Sequence, residues 1–217
     1  MMKPRIKICC IGSIAEAQTA ISFGASALGL VGQMPSGPGV IEDDLIRSIA
    51  NSVPPPVATF LLTSETSAEA IIAHHRRTLT NTIQIVDALP DGAYQDLRQA
   101  LPHVKFVQVI HVLTEQSIDE ALRISAHADA LLLDSGNPNL AVKELGGTGR
   151  THNWKLSRQI IEQAKIPVFL GGGLNSQNVR AALDDVQPFG LDLCSSVRTN
   201  GALDPQKLDA LMSAALG

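Results

Sequence analysis

The sequence lacks any long apolar run and any long run of lysine and arginine. Its apolar stretches are short and interrupted, and none approaches the roughly 20 residues that a membrane-spanning helix needs. The net charge is −4, and the positive charges are scattered along the chain. No surface for nucleic acid or for an acidic membrane is therefore predicted, and we expect a small molecule as the partner.

Cysteine is scarce, with Cys9 and Cys10 adjacent and Cys194 far along the chain. This spacing provides neither a disulfide framework nor a set of metal ligands, so we expect reduced thiols and no bound metal. The basic first residues lead directly into a strand-like run with no small-residue cleavage site. No signal peptide is predicted, and a cytoplasmic location is expected.

Short β-rich apolar runs alternate with segments of helical spacing, which predicts β/α units and a parallel sheet. Eight such runs occur, at residues 6–11, 27–31, 56–62, 82–86, 104–110, 130–133, 167–170 and 190–193. With 217 residues and a hydrophobic fraction of 45%, the chain can bury one core. The predicted fold is a single-domain α/β (β/α)₈ TIM barrel over residues 1–217. A doubly wound open sheet is the alternative, but no Gly-x-Gly-x-x-Gly follows the first run.

Local signals place some of the helix boundaries and one unusual loop. Ser13, Thr114 and Asn175 precede helical segments and are predicted N-caps. The longest irregular connection, residues 135–151, is rich in glycine and asparagine. Because a loop of that length inside a compact domain is usually functional, it is a candidate lid.

In barrels of this kind the active site forms where the strands end, which directs attention to the first run. Its two-residue period places Lys7 and Cys9 on the interior face and Cys10 on the face toward the helices. A strand cysteine is most often a small buried apolar residue. A neighbouring cation such as Lys7, however, lowers the pKa of a thiol, and Cys9 is therefore a candidate general base.

Asp134 directly follows the sixth run and precedes the long loop. An aspartate at such a position can cap the turn or project into the mouth of the barrel, and the sequence leaves both roles open. Held by apolar walls, its carboxyl group would have a raised pKa and serve as a general acid.

Two loops predict a site for phosphate. Gly172 and Gly173 connect the seventh run to a helix, where no side chain obstructs their amides, although glycines here also suit a plain tight turn. Ser195 and Ser196 follow the eighth run, and the seventh and eighth loops of such barrels commonly bind phosphate together. Gly149 and Arg150, in a second glycine-rich segment, add flexible backbone and a cation at the same end; alone this signal is weak.

Taken in order across nearly the whole chain, these segments resemble the phosphoribosylanthranilate isomerase family of tryptophan biosynthesis. The matching segments are 7–9 (Lys-Ile-Cys in both), 24–29 (Gly-Ala-Ser-Ala-Leu-Gly, with Asp for Ser in the family), 132–134 (Leu-Leu-Asp), 146–150 with Trp154 (Gly-Gly-Thr-Gly-Arg, against Gly-Gly-Ser/Thr-Gly-Lys and Asp-Trp), and 172–174 (Gly-Gly-Leu).

The resemblance implies an aldose–ketose isomerase, an intramolecular oxidoreductase that performs an Amadori rearrangement without a cofactor. Asp134 would protonate the ring oxygen of the sugar, and Cys9 would remove the proton from the adjacent carbon. Asp192 would contact sugar hydroxyls, and the two phosphate loops would hold the phosphate of the substrate. Lys7 would support the site. A monomer and a homodimer are both compatible with the sequence.

The departures from the family pattern concentrate in substrate recognition. Where the family carries Lys-Ser-Pro-Arg, whose arginine meets the anthranilate carboxylate, the ungapped match ends in Pro38. The other departures are Cys10 for glycine, residues 84–87 (Gln-Ile-Val-Asp for Gln-Leu-His-Gly), His152 for phenylalanine, and residues 194–198 (Cys-Ser-Ser-Val-Arg for Ser-Ser-Gly-Val-Glu). A paralogous isomerase for a different phosphosugar and a non-catalytic phosphate binder therefore remain alternatives.

Overall fold

In the computed structural model, which describes residues 3–141, 143–147 and 149–217, eight parallel strands close into a barrel in sequence order. The strands are β1 (Arg5–Ile8), β2 (Ala27–Val31), β3 (Ala58–Thr63), β4 (Thr82–Ile85), β5 (Lys105–His111), β6 (Ala130–Asp134), β7 (Val168–Leu170) and β8 (Gly190–Leu193). Pairing of β1 with β8 closes the ring, with Lys7 opposite Asp192. This confirms the predicted (β/α)₈ fold.

Helices alternate with the strands and cover the outside of the barrel. They are α1 (Ile14–Ser22), α2 (Asp43–Ser52), α3 (Ala68–Thr78), α4 (Ala93–Ala100), α5 (Gln116–Ser125), α6 (Trp154–Gln163), α7 (Val179–Val186) and α8 (Pro205–Leu216). A 3₁₀ turn (Ser195–Val197) and a small hairpin of β9 (Arg198–Thr199) and β10 (Ala202–Leu203) lie between β8 and α8. Among the described residues, no helix is long and apolar enough to cross a membrane.

Two apolar layers follow from the alternation of side chains along the strands. Ile6 and Ile8 belong to the layer between the sheet and the helices. Cys9 belongs to the interior layer, together with Phe60 and Phe169. The period in β1 thus predicts correctly that Cys9 faces the interior of the barrel.

The prediction for Cys10 is wrong, because this residue also belongs to the interior layer. Its backbone has φ 63, in the left-handed region, which ends the alternation of β1 and turns the side chain inward. For the same reason β1 ends at Ile8 and not at residue 11. The other strand predictions hold to within two residues at each end.

Of the three predicted N-caps, Ser13 is confirmed, since its hydroxyl accepts the Glu16 N–H. Helix α5 begins later than predicted, with Glu115 and not Thr114 at its N-cap. Helix α7 begins after Asn178. Asn175 instead closes the turn before it, because its side chain accepts the N–H groups of Gln177 and Asn178.

Gly29 on β2 makes room for the functional side chains of β1. A Cβ atom at this position would lie 2.8 Å from Cys9 Sγ and 3.0 Å from Lys7 Nζ. Real Cβ atoms do not approach other heavy atoms so closely, so the inward packing of Lys7 and Cys9 depends on the missing side chain.

We expect Gly29→Ala to lower the free energy of unfolding by about 1 to 3 kcal/mol, because the added methyl group overpacks the barrel interior. Denaturant unfolding measures the change. Gly12→Ala is the matched control, since its Cβ would lie 3.7 Å from the nearest atom, Glu16 Oε2. Equal stability of the two variants would contradict this account of Gly29.

Candidate active site

A cavity of about 740 Å³, partly open to solvent, lies at the carboxyl ends of the strands. Eight of the ten predicted site residues line it: Cys9, Asp134, Gly149, Gly172, Gly173, Asp192, Ser195 and Ser196. The remaining two predicted residues, Lys7 and Arg150, do not line the cavity. The described residues contain no group of three or more side chains suited to hold a metal ion.

Lys7 lies behind the cavity wall and is completely buried. Its Nζ donates to Asp192 Oδ1 at 2.7 Å and lies 5.4 Å from the centre of the Phe60 ring. Burial opposes the charged form of Lys7, but the charge and hydrogen bond of Asp192 together with Cys9 and Cys10 outweigh it, and the pKa of Lys7 lies above its usual range. The lysine is therefore a fixed positive charge inside the barrel.

Cys9 lies next to this charge with its thiol in the cavity wall. The thiol of Cys10 lowers the pKa of Cys9, burial acts in the opposite direction, and the ammonium group of Lys7 lowers the pKa further. The net direction is toward the thiolate, which is the form that accepts a proton. The environment predicted for a general base is present.

Asp134 lies at the end of β6, three strands from β1 around the ring, and it is buried. Burial raises the pKa of Asp134. The N–H of Gly136 donates to Oδ2 at 2.9 Å and opposes this change, as does the nearby His111. Asp134 therefore caps its turn and also faces the cavity. Its raised pKa means that the carboxyl group retains its proton more readily.

The part of the cavity between Asp134 and Cys9, at the ends of β7 and β8, is lined by backbone and hydroxyl groups. Gly172 and Gly173 have φ 79 and 61, values that favour glycine. In the described part of the chain, neither of their N–H groups has a hydrogen-bond acceptor. The hydroxyl of Ser196 is buried and likewise has no partner among the described atoms. These donors suit an anion.

The loop between β6 and α6 covers this cavity from above. A Cβ atom on Gly147 would lie 2.7 Å from Pro38 Cδ, and one on Gly149 would lie 3.8 Å from Ser195 Oγ. The loop thus touches the segment after β2 on one side and the phosphate loops on the other. Val142 and Thr148 of this loop lie outside the described residues.

Arg150 is exposed and forms an ion pair with Glu144. Its guanidinium group is not part of the cavity wall. The Arg150 backbone packs against Gly173, where a Cβ atom would lie 2.6 Å from Arg150 C.

Comparison with known proteins identifies the family of this barrel. Residues 6–214 match the family model of N-(5'-phosphoribosyl)anthranilate (PRA) isomerase. The chain belongs to the PRA isomerase family. This confirms the predicted family and its isomerase class.

Relatives and solved structures of this family agree over nearly the whole chain. The PRA isomerase of Nostoc punctiforme is 34% identical over 211 residues, covering 95% of this chain and 96% of its own length. The structure of the Thermotoga maritima enzyme has a TM-score of 0.82 and 27% identity, covering 98% of both chains. Another PRA isomerase structure, in complex with reduced 1-(o-carboxyphenylamino)-1-deoxyribulose 5-phosphate, has a TM-score of 0.79 and 25% identity over 98% of both chains.

Relative to the family motif, the wall around Pro38 lacks its cation. Among the described residues that line the cavity there is no lysine, arginine or histidine. Met34, Ser36 and Pro38 form this side, with Leu145 from the long loop. Lys143, in that loop, forms an ion pair with Asp87 outside the cavity wall.

Two polar residues were missed as site candidates from the sequence. Gln84 lies on β4 in the cavity wall, with its buried Oε1 unpaired among the described atoms. The sequence signal that could have marked Gln84 as a site candidate is a polar glutamine between apolar strand residues. Arg198, at the position of the family glutamate, pairs with Glu16 and donates to the carbonyl oxygens of Cys9 and Cys10. Only the folded chain brings these segments together.

His152, at the position of the family phenylalanine, lies at the end of the long loop. Its Nε2 and the Ser157 hydroxyl are 2.7 Å apart, while Nδ1 is buried without a partner among the described atoms. Burial lowers the pKa of His152 to about 4. Between pH 6.5 and 4 the unfolded chain therefore binds a proton here that the folded chain does not, and stability falls as the pH falls.

We expect His152→Phe to remove this pH dependence. Between pH 7 and pH 5 the wild-type protein should lose about 1 to 2 kcal/mol more unfolding free energy than the variant, as measured by denaturant titration. The exposed His103 supplies the control His103→Phe, which should behave as the wild type does. Parallel pH profiles for wild type and His152→Phe would show that folding does not shift the pKa of His152.

Proposed function

We propose that this chain catalyses the Amadori rearrangement of N-(5'-phosphoribosyl)anthranilate to 1-(o-carboxyphenylamino)-1-deoxyribulose 5-phosphate. One observation carries the proposal. A carboxyl group with a raised pKa, Asp134, and a thiol with a lowered pKa, Cys9, face a single cavity whose other end offers unpaired donors for a phosphate. The family and the analogue bound in one related structure support the same reaction.

The first step opens the sugar ring. Asp134 donates its proton to the ring oxygen as the bond from that oxygen to C1' breaks. The lone pair of the anthranilate nitrogen then forms a double bond to C1', giving an iminium ion. A carboxyl group with a raised pKa suits this step, and the burial of Asp134 raises its pKa.

The second step moves the double bond. The Cys9 thiolate removes the proton from C2', and the electron pair of that C–H bond forms a C1'–C2' double bond while the nitrogen becomes neutral. The resulting enolamine tautomerises to the ketose. Lys7 stays bonded to Asp192 throughout and keeps a positive charge beside the thiolate.

The phosphate end fixes the reacting carbons between these two groups. Gly172, Gly173 and Ser196 supply N–H and O–H donors, and Asp192 is positioned for the sugar hydroxyls with its carboxylate in the cavity wall. Anchoring one end of a flexible phosphosugar in this way converts binding energy into orientation. Gly149 and Ser195 close the same end from the side of the long loop, which acts as the lid.

We expect Cys9→Ala and Asp134→Asn each to lower kcat about 100-fold or more, because each removes one proton-transfer group. Turnover of phosphoribosylanthranilate by the purified protein and rescue of a tryptophan auxotroph measure the effect. Asp129→Asn is the matched control, since Asp129 precedes the same strand at its opposite end, where it pairs with Arg98 and Lys105.

Normal turnover in either variant would refute the assigned roles. Each variant must retain the thermal unfolding midpoint of the wild type to within a few degrees, so that loss of activity is not loss of fold. Binding of inorganic phosphate by the wild-type protein without turnover would instead favour the non-catalytic alternative.

A second candidate is the same reaction on a phosphoribosyl amine whose aglycone carries no carboxylate. The cation-free wall around Pro38 favours it, because a carboxylate held there would lack a charged donor among the described residues. A charged hydrogen bond of this kind contributes about 1.5 to 3 kcal/mol.

Pro38→Arg tests this candidate. If the aglycone side is built for a neutral group, the new guanidinium should lower KM for phosphoribosylanthranilate about 10- to 100-fold, since it supplies the absent partner. Steady-state kinetics measure KM, and Pro35→Arg, outside the cavity wall, is the control. An unchanged KM would show that the wild-type site already recognises the carboxylate by other groups.

We also propose that residues 1–217 form one domain, located in the cytoplasm as a monomer or homodimer. The continuous family match over residues 6–214 supports the single domain.

A further inference from the structure

Cys10 and Cys194 are in direct contact at the floor of the cavity. Their Sγ atoms are 2.7 Å apart although 184 positions separate the residues in sequence, and both side chains line the cavity. The β1–β8 ladder holds the two backbones side by side, since Ile8 is paired with Leu193 and Cys9 N–H donates to Leu193 O. Both residues are free thiols in this structure.

Several neighbours fix Cys10 in this position. Its left-handed backbone points the side chain inward, and a Cβ atom on Gly39 would lie 3.0 Å from Cys10 Sγ, so the loop after β2 packs tightly over it. Arg198 binds the Cys10 carbonyl oxygen and is itself held by Glu16. The thiol is thus presented to Cys194 by a constrained segment.

Both cysteines replace other residues of the family motif, glycine for Cys10 and serine for Cys194. The reaction proposed above uses neither thiol. A left-handed backbone costs conformational free energy for cysteine but not for glycine. The chain nevertheless has cysteine at position 10, where the side chain contacts a second thiol.

The geometry points to a reversible modification site: Cys10 and Cys194 form a disulfide with each other when the protein meets a small disulfide. Cys194, which is partly exposed, attacks one sulfur of the small disulfide as its thiolate and expels a thiolate. The mixed disulfide at Cys194 is then attacked by Cys10 after loss of its proton, and the second small thiol leaves. Two protein thiols and one small disulfide become one protein disulfide and two small thiols.

The neighbouring Cys9 is not part of this pair. The 2.7 Å contact joins Cys10 to Cys194, while Cys9 Sγ lies beside Gly29 in the barrel interior. The disulfide would tie the residue after Cys9 to the residue before the Ser195–Val197 turn. Oxidation therefore alters the floor between the thiol end and the phosphate end of the cavity.

Oxidised glutathione tests the proposal on the full chain. In a Cys9→Ser background, which leaves Cys10 and Cys194 as the two thiols, treatment should bring the free-thiol count from two to none, with the mass lowered by two hydrogens. Peptide mapping should find the segments of Cys10 and Cys194 joined, and dithiothreitol should restore both thiols.

Two variants carry the residues of the family motif, and we expect both to fold. Cys10→Gly suits the left-handed backbone and should stop at a stable glutathione adduct on Cys194, whereas Cys194→Ser should form no cross-link. The proposal is overturned if the Cys9→Ser protein keeps both thiols free, or retains glutathione at Cys194 as Cys10→Gly does. A Cys9–Cys10 or Cys9–Cys194 link in the wild-type chain would overturn it as well.

Discussion

The ion pair between Lys7 and Asp192 is the contact on which the rest of the site depends. A lysine with no exposed surface costs on the order of several kcal/mol unless its charge is paired, and Asp192 supplies the pairing from the neighbouring strand. The pair joins β1 to β8 inside the barrel, where Gly29 leaves the space that it needs. The pKa of Cys9 is lowered by the Cys10 thiol and, to a smaller extent, by the ammonium group of this pair.

The acid, the base and the phosphate end occupy three separate parts of the ring. Asp134 is on β6, Cys9 follows β1, and the glycine and serine loops follow β7 and β8. Each has a different environment, since Asp134 is buried against apolar walls, Cys9 has a cation beside it, and the loops present backbone donors. The opposite proton-transfer roles proposed for these two groups follow from their environments rather than from residue type alone.

Much of this arrangement could be predicted from the sequence because it depends on local regularity. Alternation in β1 orients Lys7 and Cys9, and the period of β/α units predicts the closed barrel. The failures arise where one residue departs from its local pattern. Cys10 turns inward because of its positive φ, which the strand pattern does not show, and Asn175 closes a turn where the sequence suggested a helix cap.

Contacts between distant segments were the other source of error. Arg198 reaches the carbonyl oxygens after β1, and Gln84 enters the cavity from β4. Spacing along the chain carries little information about such contacts, because they depend on which segments the closed barrel brings together. Residue identity made Arg150 a candidate, but its side chain pairs with Glu144 in the same loop.

The pairing of β1 with β8 determines when the barrel can close during synthesis of the chain. Lys7, Cys9 and Cys10 are made at the start of synthesis, but their partners Asp192, Cys194 and Arg198 are made near its end. Chains emerge from the ribosome with their N-terminal part first. Until β8 docks, the ammonium group of Lys7 lacks the carboxylate of Asp192, and one edge of β1 has no strand partner. The ion pair of Lys7 with Asp192 therefore forms in the same event that closes the barrel.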